Sequence, residues 1–377
     1  MIIPYENTEL LDDLLQRIGE KLQISKTQRG LAEERYKAVG TWLSKDEDVF
    51  NGAEVNIYSQ GSLSISTTVK PLSRQEYDLD LVCEINHSYL GKDPIELLNT
   101  IEKRLKDNEI YREKVERKNR CIRLNYANEF HMDILPAHPA IPGPDDTCVK
   151  VPDRKAKDWK DSNPKGYTSW FNDRSNQIRK SFEVRADIEP LPNDENIERK
   201  APLKRAVQLI KRYRDIYFEE DPDSAPISIV LTTLSGHAYN GQVSVNETIS
   251  HILNQILLLI SESEKRLVVL NPSNEKEDLS ERWDGQPELY QSFVQFIRDF
   301  KISWQQVNAL QGLDEIAEKL KQMFGENIIN QTLKEQAEHL EKARSNKGLA
   351  VLGTSGLLVA ATTENAVAVE KNTFYGE

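Results

Sequence analysis

The stretch Tyr77-Asp78-Leu79-Asp80-Leu81-Val82-Cys83-Glu84-Ile85 decides how the rest of this chain is read. In an extended strand, successive side chains point to opposite faces. Leu79, Leu81, Cys83 and Ile85 then share one face, suited to a core, and Asp78 and Asp80 share the other. Two like charges on one strand face repel, so they call for a compensating cation or open solvent. Upstream stands Gln60-Gly61-Ser62. Glycine lets backbone approach a phosphate closely, and a serine offers both a hydroxyl and an N–H. A helix starting there turns its N-terminus to the anion. Downstream, His131-Met132-Asp133-Ile134-Leu135 repeats the alternation with a third acid, and His131 falls on the Asp133 side of that strand. Three converging carboxylates suit Mg²⁺, a hard cation that takes oxygen ligands and substrate phosphates together. Two such ions, about 3.5–4 Å apart, activate an attacking hydroxyl and stabilise the leaving oxygen in phosphoryl transfer. Asp-x-Asp on a strand edge is common by itself. The loop before it and the third acid after it are what separate a metal site from a solvated edge.

Composition bounds the setting. The chain has 377 residues, 38% hydrophobic and 29% charged, which describes a globular protein of one large or two ordinary domains. No run approaches the roughly 18 apolar residues of a membrane span. Met1 to Asn7 lack a basic region followed by an apolar run, so a cytoplasmic location is expected. Lys and Arg number 49 against 61 Asp and Glu, for a net charge of −12. That balance disfavours broad nucleic-acid binding, which relies on basic surface. Cys83, Cys121 and Cys148 are widely spaced and show no zinc pattern. His87, His237 and His251 show no pairing that suggests a histidine-based mechanism.

Along the chain, Leu11, Leu14, Leu15, Ile18 and Leu22 recur at helical spacing, as do Leu31, Tyr36, Val39 and Leu43. Both helices are expected behind the sheet. Residues 53–69 read as strand, tight loop and short helix, and 75–86 as the acid-bearing strand. Pro94 to Asn108 has an amphipathic helical pattern. Residues 111–135 read as a hairpin turning at Ala127-Asn128-Glu129. Pro136, Pro139, Pro142 and Pro144 mark 136–170 as a long irregular connection. Beyond it come helices near 203–217, 227–238, 247–265, 286–300 and 312–344. The tail from Asn346 to Glu377 is small, apolar and weakly patterned, and is expected to be mobile or to dock on a partner. The expected class is α+β and bilobal: a mixed-sheet core with flanking helices over 1–172, an α-helical lobe over 173–345, and a mobile tail over 346–377.

The order Gly-Ser, Asp-x-Asp and a distant third Asp resembles the nucleotidyltransferases of the DNA polymerase β type. Within them, the chain is similar to the bacterial cGAS/DncV-like nucleotidyltransferases, which make cyclic oligonucleotide signals in anti-phage defence. Gln60-Gly61-Ser62 and Tyr77 to Leu81 resemble the core motif, and His131 to Ala137 the third-acid strand. Pro202 to Tyr213 resembles the helix that contacts the donor triphosphate, and Pro226 to Leu234 the next helix, near the nucleobase. Asn271-Pro272, Asp278-Leu279 and Trp283 resemble a further segment, so the likeness spans about 55–300.

The resemblance implies that Asp78, Asp80 and Asp133 bind two Mg²⁺ ions, with Mn²⁺ as a possible substitute, and that Asp133 helps activate the acceptor hydroxyl. It implies that Gln60, Gly61 and Ser62 approach the donor phosphates, that Lys211 neutralises the triphosphate, with Lys204 one heptad earlier in a lesser role, and that Ser228 lies near the nucleotide. Where many relatives carry an aromatic that stacks on the base, this chain has Ile227 or Ser228. Arg205, Arg212 and Arg214 read as surface charge. The zinc-binding thumb of the animal enzyme has no counterpart, and with the acidic balance no activation by long DNA is expected. The Gly376-Glu377 ending suits a protein partner that binds or conjugates the tail. The expected activity is the joining of ribonucleoside triphosphates into a cyclic di- or trinucleotide with release of pyrophosphate. A tRNA-end or poly(A) type of polymerising enzyme would need a basic RNA surface. A non-catalytic nucleotide-binding scaffold would be expected to lack one of the acids, and all are present.

Overall fold

The computed structural model describes all residues except 1–4, 46–49, 51, 73–76, 88, 90, 127–129, 142–146, 186–199, 346–348, 353–357, 361–365 and 369–377. The hairpin turn at 127–129, Pro142, Pro144 and the chain's last residues thus lie outside the described residues.

Two helices come first, α1 (Tyr5–Leu22) and α2 (Lys26–Ser44). Ser25 starts α2: its hydroxyl accepts from the Gln28 N–H while the Gln28 side chain accepts from the Ser25 N–H. β1 (Val55–Ser59), the single turn α3 (Gly61–Ser64) and β2 (Tyr77–Ile85) follow. α4 (Pro94–Lys106) opens with Pro94 at its first position and the Asp93 carboxylate capping the Ile95 N–H. Then come β3 (Val115–Arg117), β4 (Ile122–Tyr126), β5 (Phe130–Pro139), β6 (Val149–Asp153) and β7 (Asp158–Ser162). These strands form one mixed sheet in the order β1-β2-β5-β4-β3, extended through β6 and β7 from the end of β5. β2 and β5 run parallel, and the other pairs antiparallel.

The period-2 pattern of β2 and the 3.6 pattern of α4 meet in one core. Leu79, Leu81, Cys83 and Ile85 pack with Ile122, Leu124, Met132 and Ile134, under Ala32, Val39 and Leu43 of α2 and Leu97, Leu98, Ile101 and Leu105 of α4. Each such fully buried Leu or Ile contributes roughly 1.5–3 kcal/mol. The acid-bearing face of the sheet is left to the rest of the molecule.

That remainder is helical: α5 (Pro164–Arg185), α6 (Pro202–Tyr217), α7 (Ser228–Ala238) and α8 (Val245–Glu262), then a small hairpin of β8 (Leu270–Asn271) and β9 (Asn274–Asp278). α9 (Arg282–Gly285), α10 (Pro287–Ala309), α11 (Leu313–Phe324) and α12 (Glu326–Ser345) complete it. A second core lies here, built on Leu203, Val207 and Ile210 of α6, Ile249 and Ile252 of α8, and Phe293, Phe296 and Trp304 of α10. The two larger cores account for the two lobes, and a small third cluster of Val82, Ala137, Val149 and Val151 lies between β2, β5 and β6.

Several expectations change. Only α2 packs on the sheet; α1 inserts Leu11, Leu14, Leu15, Ile18 and Leu22 into the helical core, against α6, α8 and α12. Both helices show the same apolar spacing, so spacing could not assign them to different lobes. The segment 136–170 is not an irregular connection: Pro136 and Pro139 lie within β5 and at its end, and β6–β7 form a hairpin. The helix expected over 312–344 is two, broken at Gly325, whose φ of 101° no continuing helix adopts. Within the tail, β10 (Leu349–Leu352), β11 (Leu358–Ala360) and β12 (Ala366–Ala368) form a small antiparallel sheet.

Candidate active site

Strand register builds the site. Asp80 on β2 pairs in register with Asp133 on β5, and Asp133 pairs in register with Arg123 on β4. Two residues along, on the same face, Asp78, His131 and Asn125 form a parallel row. Neighbouring strands stand about 4.8 Å apart, so side chains in one row meet on the same face. Arg123 answers the acids directly. Its Nε donates to Asp133 Oδ1 at 2.7 Å, and its Nη2 donates to Asp133 Oδ2 at 2.8 Å and Asp78 Oδ1 at 3.4 Å. Burial, and then the neighbouring Asp133 and Asp78 charges, push the Asp80 carboxyl up to about 7.

The Gly-Ser loop closes over Asp80. Gly61 has φ +63°, and a Cβ there would stand 2.3 Å from Asp80 Oδ2, so both the backbone and the contact require glycine. Gln60 takes part through its backbone, its N–H donating to the Asp80 carbonyl at 3.0 Å. The Ser62 carbonyl accepts from the Thr67 N–H at 2.9 Å, which turns the following strap back on itself.

The polar side of α6 holds that strap. Lys211, 5% exposed, donates through Nζ to the Thr67 hydroxyl at 3.1 Å, Gln208 to the Thr68 carbonyl at 2.8 Å and Arg212 to the Lys70 carbonyl at 2.6 Å. Burial, and then the Arg214 charge, push the Lys211 ammonium down to about 7. A cavity of about 360 Å³ results, walled by Ser62, Asp78, Asp80, Lys211, Arg214 and Ser228 among others. A larger recess of about 630 Å³ lies in the helical lobe, around Trp283, Tyr290 and Arg298, away from the acids.

The structure thus brings Gly61, Ser62, Asp78, Asp80, Lys211 and Ser228 around one cavity, with Asp133 joined to the acids through the sheet. Lys204 is not on that wall: its Nζ donates to Asn172 Oδ1 of α5 at 2.8 Å. The arginines expected at the surface are not there. Arg205 and Arg212 are buried, and Arg214 lines the cavity, donating to the Ser228 hydroxyl at 2.5 Å and pairing with Asp215. α6 is buried on nearly every side, so its polar residues meet other elements rather than solvent: Gln208, Lys211 and Arg212 the strap 67–70, Lys204 α5, and Arg205 α1. Sequence reading also missed Arg123. Alternation around Cys121-Ile122-Arg123-Leu124 places it on the acid side of β4, but its meeting with Asp133 depends on register.

Among the described residues, no three His, Cys, Asp or Glu side chains stand in a ready-made metal cage. The donor set still fits a hard divalent cation. The three acids offer only carboxylate oxygens, and burial together with the Asp133 and Asp78 charges holds the Asp80 carboxyl above its ordinary range.

Comparison with known proteins identifies the family. The family model described as "Second Messenger Oligonucleotide or Dinucleotide Synthetase domain" matches residues 9–175. The chain is 38% identical to a c-di-GMP synthase of Roseivirga ehrenbergii over the full length of both. It is 27% identical to the cyclic dinucleotide synthase CdnG of Bradyrhizobium diazoefficiens, over 97% of this chain and 95% of that one. The solved structure of that CdnG in complex with GTP superposes with a TM-score of 0.70 at 26% identity, covering 87% of this chain and 99% of that one. The chain therefore belongs to the bacterial cGAS/DncV-like nucleotidyltransferases, the second-messenger oligonucleotide and dinucleotide synthetases.

Proposed function

We propose that this enzyme joins two molecules of GTP into a cyclic dinucleotide of the c-di-GMP class. Each bond forms when a ribose hydroxyl attacks an α-phosphorus in line; pyrophosphate leaves with the electron pair of the broken P–O bond, and the hydroxyl proton passes to a nearby base. One observation carries the reading: Asp78, Asp80, the Gly61-Ser62 loop and Lys211 share one cavity, with Asp133 in register beside Asp80. The full-length likeness to a c-di-GMP synthase supports guanine as the base.

In this reading Asp78, Asp80 and Asp133 hold two divalent cations, Mg²⁺ with Mn²⁺ able to replace it, and those ions supply charge neutralisation at the reacting phosphate. Gly61 and Ser62, on the wall of the cavity, would meet the donor phosphates through backbone and hydroxyl. Lys211 lines the cavity with a buried amine that would pair with the triphosphate, and it ties α6 to the strap. Asp133 orients and deprotonates the acceptor hydroxyl. Ser228, fixed by Arg214, borders the nucleotide. Lys204, bound to Asn172, serves packing rather than phosphate. The product would act as a cytoplasmic signal in anti-phage defence, and the C-terminal tail would meet a protein partner.

The test is incubation with all four ribonucleoside triphosphates and Mg²⁺ or Mn²⁺, then phosphatase and mass spectrometry. A phosphatase-resistant cyclic dinucleotide containing guanine is expected. Asp78→Asn should lower its formation at least about 10²–10³-fold, the scale of losing one preorganised electrostatic group, with an unchanged circular dichroism spectrum. Primer-dependent linear extension by the wild type would overturn the proposal.

A further inference from the structure

We propose that Arg123 is a positioning residue with two stations, a clamp on Asp133 and a parking place at Glu116, and that divalent-cation binding moves it from the first to the second. The inference rests on the reading of Asp78, Asp80 and Asp133 as the cation site. Its basis is a row of charges across four adjacent strands. In register stand Asp80 on β2, Asp133 on β5, Arg123 on β4 and Glu116 on β3. One guanidinium therefore sits between two carboxylates on one sheet face.

The present station is the inner one. The Arg123 fork takes both oxygens of Asp133, at 2.7 and 2.8 Å, and reaches Asp78 at 3.4 Å. Planar two-point pairing of this kind is the strongest that arginine makes with a carboxylate. It spans two of the three acids that a cation would need. A divalent ion at the same oxygens would stand within a few ångströms of a fixed positive charge, so the two compete.

The outer station is within reach of the same side chain, which would share the Glu116 carboxylate with its present donors. Glu116 is the cross-strand neighbour of Arg123, and its carboxylate accepts from Lys118 at 2.5 Å and Asn125 at 3.4 Å. Its side chain is 48% exposed, and that of Arg123 21%. A rotation about the arginine side-chain bonds, with no movement of the sheet, carries the fork from one carboxylate to the other. Released from Asp133, the guanidinium stays beside the site and leaves the third acid free to ligate.

The test is Mn²⁺ binding to the full chain without nucleotide, by electron paramagnetic resonance and titration calorimetry. Arg123→Gln should bind Mn²⁺ roughly five- to tenfold more tightly than wild type, the scale of a partly exposed ion pair. Arg123→Lys, which keeps the charge and loses the fork, should fall between the two. Glu116→Gln, a surface change, should weaken binding about twofold, and should have no further effect in the Arg123→Gln background. Unchanged or weaker binding by Arg123→Gln overturns the clamp, and a Glu116→Gln effect that persists without Arg123 overturns the parking place. Mn²⁺ binding that disappears in Asp78→Asn shows that the acids are the cation site, so failure of the clamp is told apart from failure of the site. If neither wild type nor Arg123→Gln binds Mn²⁺ at millimolar concentration, both readings fall.

Discussion

At the residue scale, Gly61 shows how tightly the loop is drawn onto the acids. Its φ of +63° is unfavourable for any L side chain by roughly 1–2 kcal/mol, and a Cβ would press on Asp80 Oδ2. Gly61→Ala is expected to cut product formation at least about tenfold, the cost of shifting a reacting group by less than an ångström, and to lower Tm by about 2–4 °C. Product rate and a thermal melt check this; full activity with an unchanged melt would refute the close approach. The Gly-Ser pair was legible in the sequence as a tight loop ahead of the acids. That its glycine is required by Asp80 was not, because the contact arises only when the loop folds back over β2.

At the element scale, helices far apart in the chain hold one another. Asp12 on α1 caps α8, its carboxylate accepting from the Val245 and Asn246 N–H groups at 2.5 and 3.1 Å. Burial outweighs those two bonds and, with repulsion from Glu247 and Asp13, pushes the Asp12 carboxyl up to about 6. An acid whose folded pKa lies above its unfolded value binds more protons when folded. Its stabilising contribution is therefore present below about 3.8 and lost as pH rises through about 6. Asp12→Asn keeps an acceptor for both N–H groups and removes the charge. The Tm advantage of this variant over wild type should be near zero below pH 4, grow through pH 5–6 and level off above it, at about 2–4 °C. A difference independent of pH would sink the assignment.

At the scale of the whole molecule, the cavity exists because two cores are locked face to face. Lys211, Gln208 and Arg212 of α6 bind the strap 67–70 on one side. Arg120 and Lys160 of the sheet lobe pair with Glu281 of the helical lobe on the other, at 2.5 and 3.1 Å. Arg205 anchors α6 within its own lobe, fully buried, donating to Gln16 of α1 at 3.1 Å and to Gln208 at 2.9 Å. Arg205→Ala removes a large buried side chain and strands its acceptors, so a loss of about 2–4 kcal/mol in urea unfolding is expected. Because Gln208 also holds Thr68, the loss should extend to catalysis in the protein that remains folded, seen as a lower kcat. A variant as stable as wild type would show that Arg205 is not the anchor described.

The sequence by itself determined the local alternation of β2 and β5, the side of each strand that carries the acids, the Gly-Ser turn and the helices α4, α6, α7 and α8. Those follow from side-chain direction and periodicity, which act within a few residues. The tertiary structure alone decided which elements face which. It sent α1 and α2, alike in pattern, to different cores, and turned the prolines of 136–139 into part of a strand. It made the arginines of α6 interior groups, took Lys204 away from the cavity and set Arg123 against Asp133. Each of these depends on register or packing between segments distant in the chain, where the free energy belongs to the pair and neither partner's sequence carries it.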